Sequence, residues 1–566
     1  MTAANVVQYV VFTLIVAALV RPAGLYMERV FAGEPTWLDA VFRPLERALY
    51  RLSRVRPERG MDWREYAASV IAFTFFCTVI LYAVLRFQRF LPGGPAAEYL
   101  TTSTTPDLAT NTAVSFSTTT TWQAYAGETT MKYAGQLALA AESFLGGAAG
   151  LAIGIAFIRG FSGQNGRSLG NFWVDLTRAV LWVLLPIDFA CGLALIGQGV
   201  PMNFAPYVHA TTLEGATQVI PQGPIAVFEI IENLGTNGGG FFNSNGAHPY
   251  DNPTGVANLI EMLSIVALPA GLTHTFGRMV GRARAGWALF GVMVALFAAG
   301  LILTHLAEDA GNPAAAAANI VGPNLEGKEV RFGIGASVLT AVVTSNTSCG
   351  TYNSLDGSYM PLGVCVLLVN MLLGEIIFGG LGTGLYSIVM VALIGLFLAG
   401  LMVGRTPEYL GKKIGVGEVK LVMIFTLAYP IVILFLTAIA VRSSAGLAGL
   451  GTNSGPRALT EVIFAYASSA ANNGQNMAGL SANSAFYNTT TAIAMIVGRL
   501  FLAVPALALA GRVIGQGRRP MTPGTLPSDT LTFASIALAT ALLVVAVNFF
   551  PVVTLGPLLE HFSMTR

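Results

Sequence analysis

Charge is what this 566-residue sequence has least of. Asp, Glu, Lys and Arg make up 11% of it, against about 25% in soluble domains. Hydrophobic residues make up 54%, and the mean hydropathy is +0.64. That balance excludes a water-soluble fold, because apolar runs of about 20 residues recur from end to end and each matches the thickness of a bilayer. Cysteine is almost as scarce. Cys77, Cys191, Cys349 and Cys365 lie far apart and lack the paired spacing of a zinc site, a redox motif or a disulfide framework. The histidines, His209, His248, His274, His305 and His561, are scattered without ligand spacing. Nucleic-acid binding is excluded too: the formal net charge is +2, and the 31 Lys plus Arg fall between apolar runs.

Ten apolar segments stand near residues 4–21, 67–90, 133–158, 173–197, 257–277, 286–306, 361–403, 420–441, 485–511 and 529–552. The expected fold is an all-α polytopic membrane protein, a single transmembrane domain over 1–566 surrounded by membrane lipid. The first run, Val6 to Val20, has no basic segment before it and no small-residue cleavage site after it, so it reads as a retained span. Lys and Arg are held on the cytoplasmic side during insertion. The connection 21–65 holds nine arginines. Taken as cytoplasmic, it makes alternate connections cytoplasmic as well: those with Arg159, Arg167 and Arg178, with Arg278, Arg282 and Arg284, with Arg405, Lys412, Lys413 and Lys420, and with Arg512, Arg518 and Arg519. These regions hold 22 of the 31 basic residues, which places both termini outside the cytoplasm.

The stretch 361–403 tests that count. A 43-residue helix rising about 1.5 Å per residue is roughly twice as long as one crossing needs. Two crossings would invert the charge pattern downstream, so one broken crossing is expected, interrupted at Gly379-Gly380-Leu381-Gly382-Thr383-Gly384. Irregular backbone at membrane depth is tolerated where protein or a water-filled cavity surrounds it. Two readings stay open for the break, a pore wall or gate and a glycine-rich packing face between helices.

Four outward connections begin with a short apolar segment and change abruptly to Thr, Asn, Ser and Gly. They are Asn111–Gln123 (NTAVSFSTTTTWQ), Phe228–Asn243 (FEIIENLGTNGGGFFN), Leu339–Asn353 (LTAVVTSNTSCGTYN) and Phe464–Asn476 (FAYASSAANNGQN). Each is too brief to span and reads as a re-entrant hairpin. Aligned on their polar ends they give Thr118-Thr119-Thr120-Thr121, Gly235-Thr236-Asn237-Gly238, Thr347-Ser348-Cys349-Gly350 and Ala471-Asn472-Asn473-Gly474. Intervals of 117, 112 and 124 residues divide the chain into four pseudo-repeated units of span, pore loop and span around a central pore. The units are expected at 67–158, 173–277, 286–403 and 420–511, with extra spans at 4–21 and 529–552. A potassium ion sheds its hydration shell only where oxygens replace it from all sides, and four backbone hairpins around one axis can present rings of carbonyls. Glycine suits the last position because it reaches backbone conformations closed to bulky residues. Secondary transporters with internal symmetry also carry such loops, so the pattern alone leaves a channel-like filter and another kind of solute carrier both open.

At these residues the sequence resembles the potassium-binding A subunits of bacterial Kdp potassium-transporting ATPases, within the wider superfamily of potassium transporters built from four channel-like units. The resemblance runs nearly the whole length. Besides the loops it is carried by GETT at Gly127–Thr130, GTNGGGFFN followed by HPYDNPT, EGKEVRFG at Glu326–Gly333, GRTPEYLGKK at Gly404–Lys413 and GLSANS at Gly479–Ser484. It implies high-affinity potassium uptake across the bacterial plasma (inner) membrane, with potassium selected at the four loop segments. A separate P-type ATPase catalytic subunit would hydrolyse ATP, and small accessory subunits would complete the Kdp complex. Gln123 would line the pore entrance; a loop-anchoring amide is the other reading. The first loop departs from the family pattern, in which asparagines alternate with threonines, and Thr121 stands where the other loops have glycine. The alternative function is a self-sufficient potassium channel or symporter of the same four-unit build, which would transport without an ATPase.

Among the ionisable residues inside expected spans are Glu375, just before the glycine break, and Arg499, in the ninth segment. They are expected below the filter, shaping ion passage toward the ATPase subunit, with Gly379, Gly380, Gly382 and Gly384 as the barrier; a structural Glu–Arg pair between helices is the competing reading. Gly322 to Lys328 mimics a phosphate-binding loop, but Glu329 replaces the required Ser or Thr and no strand-to-helix context surrounds it. The DKTGT sequence that a P-type pump phosphorylates is absent. The chain is therefore expected to hold no nucleotide site and no catalytic residue, and the membrane potential, worth roughly 2.3 kcal/mol per charge per 100 mV, does not always suffice for uptake from dilute solution. The basic loops, Arg405 to Lys420 among them, are candidate docking surfaces for the partner, with plain positive-inside retention as the simpler reading.

Overall fold

The computed structural model describes every residue except 92, 403, 405, 406, 452, 521–525, 565 and 566. Val403, the expected end of the third unit, and Arg405 and Thr406 of the GRTPEYLGKK segment thus lie outside the described residues.

The chain folds as a series of helices, long and short: α1 (Ala3–Ala32), α2 (Asp39–Ser53, a polar exception), α3 (Trp63–Phe87), α4 (Pro106–Ser117), α5 (Tyr133–Ser162), α6 (Phe172–Gly197), α7 (Ile225–Leu234), α8 (Gly255–Met279), α9 (Ala283–Asp309) and α10 (Gly333–Thr347). The series continues with α11 (Pro361–Leu372), α12 (Thr383–Met402), α13 (Val416–Arg442), α14 (Gly455–Ala470), α15 (Ala485–Ile514) and α16 (Leu531–Val553). Among the described residues, ten helices are long and apolar enough to cross a membrane. Side-chain oxygens satisfy the free N–H groups where several begin: Thr2, Thr105, Thr254, Ser484 and Thr530 cap their helices, and Asp62 and Glu65 form a reciprocal capping box on α3.

Two features add detail to the expected all-α fold. The first span does not stop at Arg21-Pro22: α1 runs through Pro22 to Gly33, where a left-handed residue ends it. An interior proline removes one hydrogen bond, and close packing on α8 holds the helix together, with Gly24 set against the Gly271 carbonyl and His274. Two short hairpins accompany the helices. Antiparallel hairpins β1–β2 (Val208–Thr211 with Thr217–Ile220) and β3–β4 (Glu408–Tyr409 with Lys412–Lys413) lie in the polar connections, where no apolar period marks them.

The basic connections gather at one end of the molecule. Met61 and Gly170 exchange a backbone bond of 2.7 Å, Gly166 bonds to Ile514 and Arg519 to Gly411. Lys412 Nζ donates to the Gly163 carbonyl at 2.8 Å, and Arg518 donates to the Val280 carbonyl at 3.0 Å. The chain from 361 to 402 therefore makes one broken crossing: Met360 N bonds to Glu308 at the opposite end, and the segment after α12 arrives at the basic end.

Candidate functional site

Four helices too short to cross, α4, α7, α10 and α14, deliver the four polar segments to one buried place. In each segment the second and fourth residues are left-handed. Thr119 and Thr121 have φ of +62° and +47°, Thr236 and Gly238 +53° and +70°, Ser348 and Gly350 +58° and +90°, and Asn472 and Gly474 +50° and +96°. Alternating handedness turns successive N–H groups to one side and carbonyls to the other. The N–H side faces back to the helices: Thr120 and Thr121 donate to the Ser115 carbonyl, Asn237 to Glu232 and Asn473 to Ser468.

The segments close a ring in chain order. The Thr121 hydroxyl donates to the Asn237 carbonyl. A Cβ on Gly238 would fall on the Cys349 carbonyl, one on Gly350 on that of Asn473, and one on Gly474 on that of Thr120. Side chains tie the same neighbours. Ser348 donates to the Ala471 and Asn472 carbonyls at 2.6 and 2.8 Å, and Asn472 Nδ2 donates to the Thr120 hydroxyl at 2.8 Å. Thr347 differs slightly from its counterparts, being the last residue of α10.

Above the ring, a cavity of about 360 Å³ is lined by Thr121, Gln123, Gly239, Gly350, Tyr352 and Gly474, among others. The Gln123 amide also clasps Gly240, donating to its carbonyl at 3.0 Å and accepting from its N–H at 3.1 Å. Below the ring, Thr119, Thr236, Ser348 and Asn472 face Glu375, Arg499, Gly380 and Leu381 around a space of about 10 Å³, which is hardly room for one water. The broken crossing supplies the floor. Its irregular stretch runs from Leu373 to Gly382, earlier than the glycine run predicted, and Gly384 already belongs to α12. Non-glycine residues Glu375 and Phe378 take left-handed conformations there, so packing rather than composition sets the start of the break. Leu381 N donates to the Thr236 hydroxyl at 2.7 Å, joining this floor to the second segment. A direct Glu375–Arg499 ion pair is not among those formed by the described residues. The Arg499 guanidinium instead donates to the Gly146 carbonyl at 3.2 Å.

A sequence model of the family described as Potassium-transporting ATPase A subunit matches residues 10–562. The chain belongs to that family. It is 48% identical over 565 residues to a potassium-transporting ATPase potassium-binding subunit of Solibacter usitatus, covering 100% of this chain and 99% of the relative. A protein of the same description from Granulibacter bethesdensis is 49% identical over 560 residues, 98% of each chain. Among solved structures, the potassium transporter TrkH from Vibrio parahaemolyticus is similar with a TM-score of 0.49 at 16% identity, over 70% of this chain and 77% of that one.

Two groups around the site of this A-subunit chain escaped the sequence reading. Gly146, Gly147, Gly150 and Gly154 on α5 form a side-chain-free face that receives Thr119, Gly235, Leu381 and Gly382. Their signal was GGAAGLAIG, small residues recurring on one helix face, which in a membrane reads first as helix packing. Behind the second segment, Glu229 and Glu232 of α7, Asp251 just before α8, and Glu261 of α8 are all buried. The Asp251 carboxyl, in the connection after the loop, is held well above its ordinary range by burial and then by the neighbouring carboxylates Glu229, Glu261 and Glu128. Two acids within the apolar run FEIIEN carried that signal.

Proposed function

We propose that this chain captures and selects potassium on the extracytoplasmic side of the bacterial plasma membrane. It acts as the non-hydrolytic, ion-binding subunit of an ATP-driven, high-affinity uptake complex. The observation that carries the reading is the closed ring of four segments with alternating left-handed residues; carbonyls on the side away from the helices, turned to the axis of that ring, would offer a dehydrated cation oxygen from all directions. The C-termini of α4, α7, α10 and α14 point toward the same place and add the negative ends of their dipoles. The filter is assigned to Thr118–Thr121, Gly235–Gly238, Thr347–Gly350 and Ala471–Gly474, within four repeated units at 67–158, 173–277, 286–403 and 420–511. Gln123 shapes the entrance. Glu375, Gly379, Gly380, Gly382, Gly384 and Arg499 form the barrier and the ion's way onward to a P-type ATPase catalytic subunit, with small accessory subunits completing the complex. Both termini lie outside the cytoplasm.

Potassium-stimulated ATP hydrolysis by the purified complex tests this, comparing wild type with Gly238→Asp. The substitution puts a side chain where the Cys349 carbonyl stands and where φ is +70°. Losing about 1.4 kcal/mol of ion binding is a tenfold loss of affinity, so at least a tenfold rise in the potassium concentration for half-maximal activity is expected. An unchanged curve would refute the filter assignment. Potassium transport by the chain alone, with no ATPase present, would favour the self-sufficient symporter instead.

A further inference from the structure

Helix α2 differs from every span in having three distinct faces. Phe42, Glu46 and Tyr50, spaced by four, turn to the body of the molecule. The Phe42 ring meets Trp182 edge-on at 5.5 Å, the Tyr50 hydroxyl donates to Glu46 at 2.8 Å, and Glu46 pairs with Arg178 at 3.1 Å. Beside that face runs an apolar stripe, Val41, Leu45, Leu49 and Leu52, which Trp37 continues beyond the helix. These side chains are exposed, Trp37 at 81% and Leu52 at 84%. At about 100° per residue, Arg43, Arg47 and Arg51 fall on the side of the helix away from the stripe, and Arg54 and Arg56 follow just past its end. Arg43 is held by Asp39 at 2.7 Å. Among the described residues, no ion pair engages Arg47, Arg51, Arg54 or Arg56.

The height of α2 is fixed by what it touches. Arg178 and Trp182 lie on consecutive turns of α6, where that helix passes from charged to apolar sequence. We propose that α2 lies in the headgroup plane of the membrane, with the stripe from Trp37 to Leu52 among the acyl chains and Arg47, Arg51, Arg54 and Arg56 on the phosphates of anionic phospholipid. A bilayer margin is apolar on one side and anionic on the other, which is the complement of this helix, and long arginine side chains reach the phosphates while their stems lie along apolar surface. The helix then fixes α1 and α3 at a set depth. This does not depend on the proposed ion path.

The full chain is reconstituted in vesicles of phosphatidylcholine and phosphatidylglycerol, with and without bromine on the acyl chains. Wild type is compared with Trp37→Phe, so that the fluorescence difference reports Trp37 alone. Loss of that difference in brominated vesicles, with no effect of aqueous iodide, is expected. Quenching by iodide would put Trp37 in water, and resistance to both would put it under protein; either overturns the proposal. A second variant, Arg47→Gln with Arg51→Gln, Arg54→Gln and Arg56→Gln, is read by retention of spin-labelled phosphatidylglycerol relative to phosphatidylcholine. Each arginine near an anionic surface is worth about fivefold, so at least a tenfold loss of preference is expected. An unchanged preference would remove the headgroup contact from the proposal.

Discussion

At the scale of single residues, the first loop carries the sharpest contrast. Its four threonines put a β-branched side chain where the other loops have glycine, yet Thr121 takes the same left-handed conformation. Such a residue costs about 1–2 kcal/mol there, and its hydroxyl bond to the Asn237 carbonyl is worth about 0.5–1.5 kcal/mol. The two nearly cancel. Thr121→Gly should therefore stay within about threefold of wild type in half-maximal potassium concentration, whereas Thr121→Val keeps the strain, loses the bond and should raise that concentration about tenfold. Equal values for the two variants would separate the loop's conformation from its function. A second residue concerns stability. Both oxygens of Asp356 are buried without a hydrogen-bond partner among the described residues, and burial pushes its carboxyl from 3.8 up to about 8 while Lys328 pulls it back. The folded state thus holds this proton more tightly than the unfolded chain, so the stability it lends is present in acid and is lost as pH rises from about 4 to about 8. Asp356→Asn should flatten that part of the dependence of the thermal midpoint on pH; an identical slope in the variant would contradict it.

At the scale of elements, the spans were legible because a run of about 20 apolar residues has few other uses. The four short helices were legible because a short apolar run that turns abruptly polar has nowhere to go but back. The break in the seventh crossing was legible in kind and misplaced in detail. Its glycines could be read, but Glu375 and Phe378 are left-handed too, and the contacts that Leu381 and Gly382 make with α5 and the second segment are encoded by no local pattern. The same contacts explain why the α5 glycines were overlooked: their face receives a loop, and a loop has no period of its own. Gly382 has φ of +95°, and a Cβ there would fall on the Gly150 carbonyl. Gly382→Ala should therefore lift the floor away from α5 and loosen coupling, seen as more ATP hydrolysed per potassium accumulated or as a passive potassium leak in vesicles. Tight coupling and no leak in that variant would move the barrier elsewhere.

At the scale of the molecule, the charge pattern and the ring constrain each other. The arginine-rich connections are joined by hydrogen bonds at one end, while the 360 Å³ cavity over the ring is built from the loops of the other. Met1 pairs with Asp309 at the end of α9 remote from the basic connections, so the N-terminus shares the cavity's side. If basic connections are retained in the cytoplasm, the cavity opens outward, where dilute potassium has to be captured, and the small closed space beneath the ring lies between it and the cell interior. An impermeant maleimide should then label Thr2→Cys in intact cells and reach Arg56→Cys only after permeabilisation. The reverse pattern would point the ring at the cytoplasm, where potassium is plentiful and a high-affinity capture site has no work to do, and uptake through it would have to be abandoned.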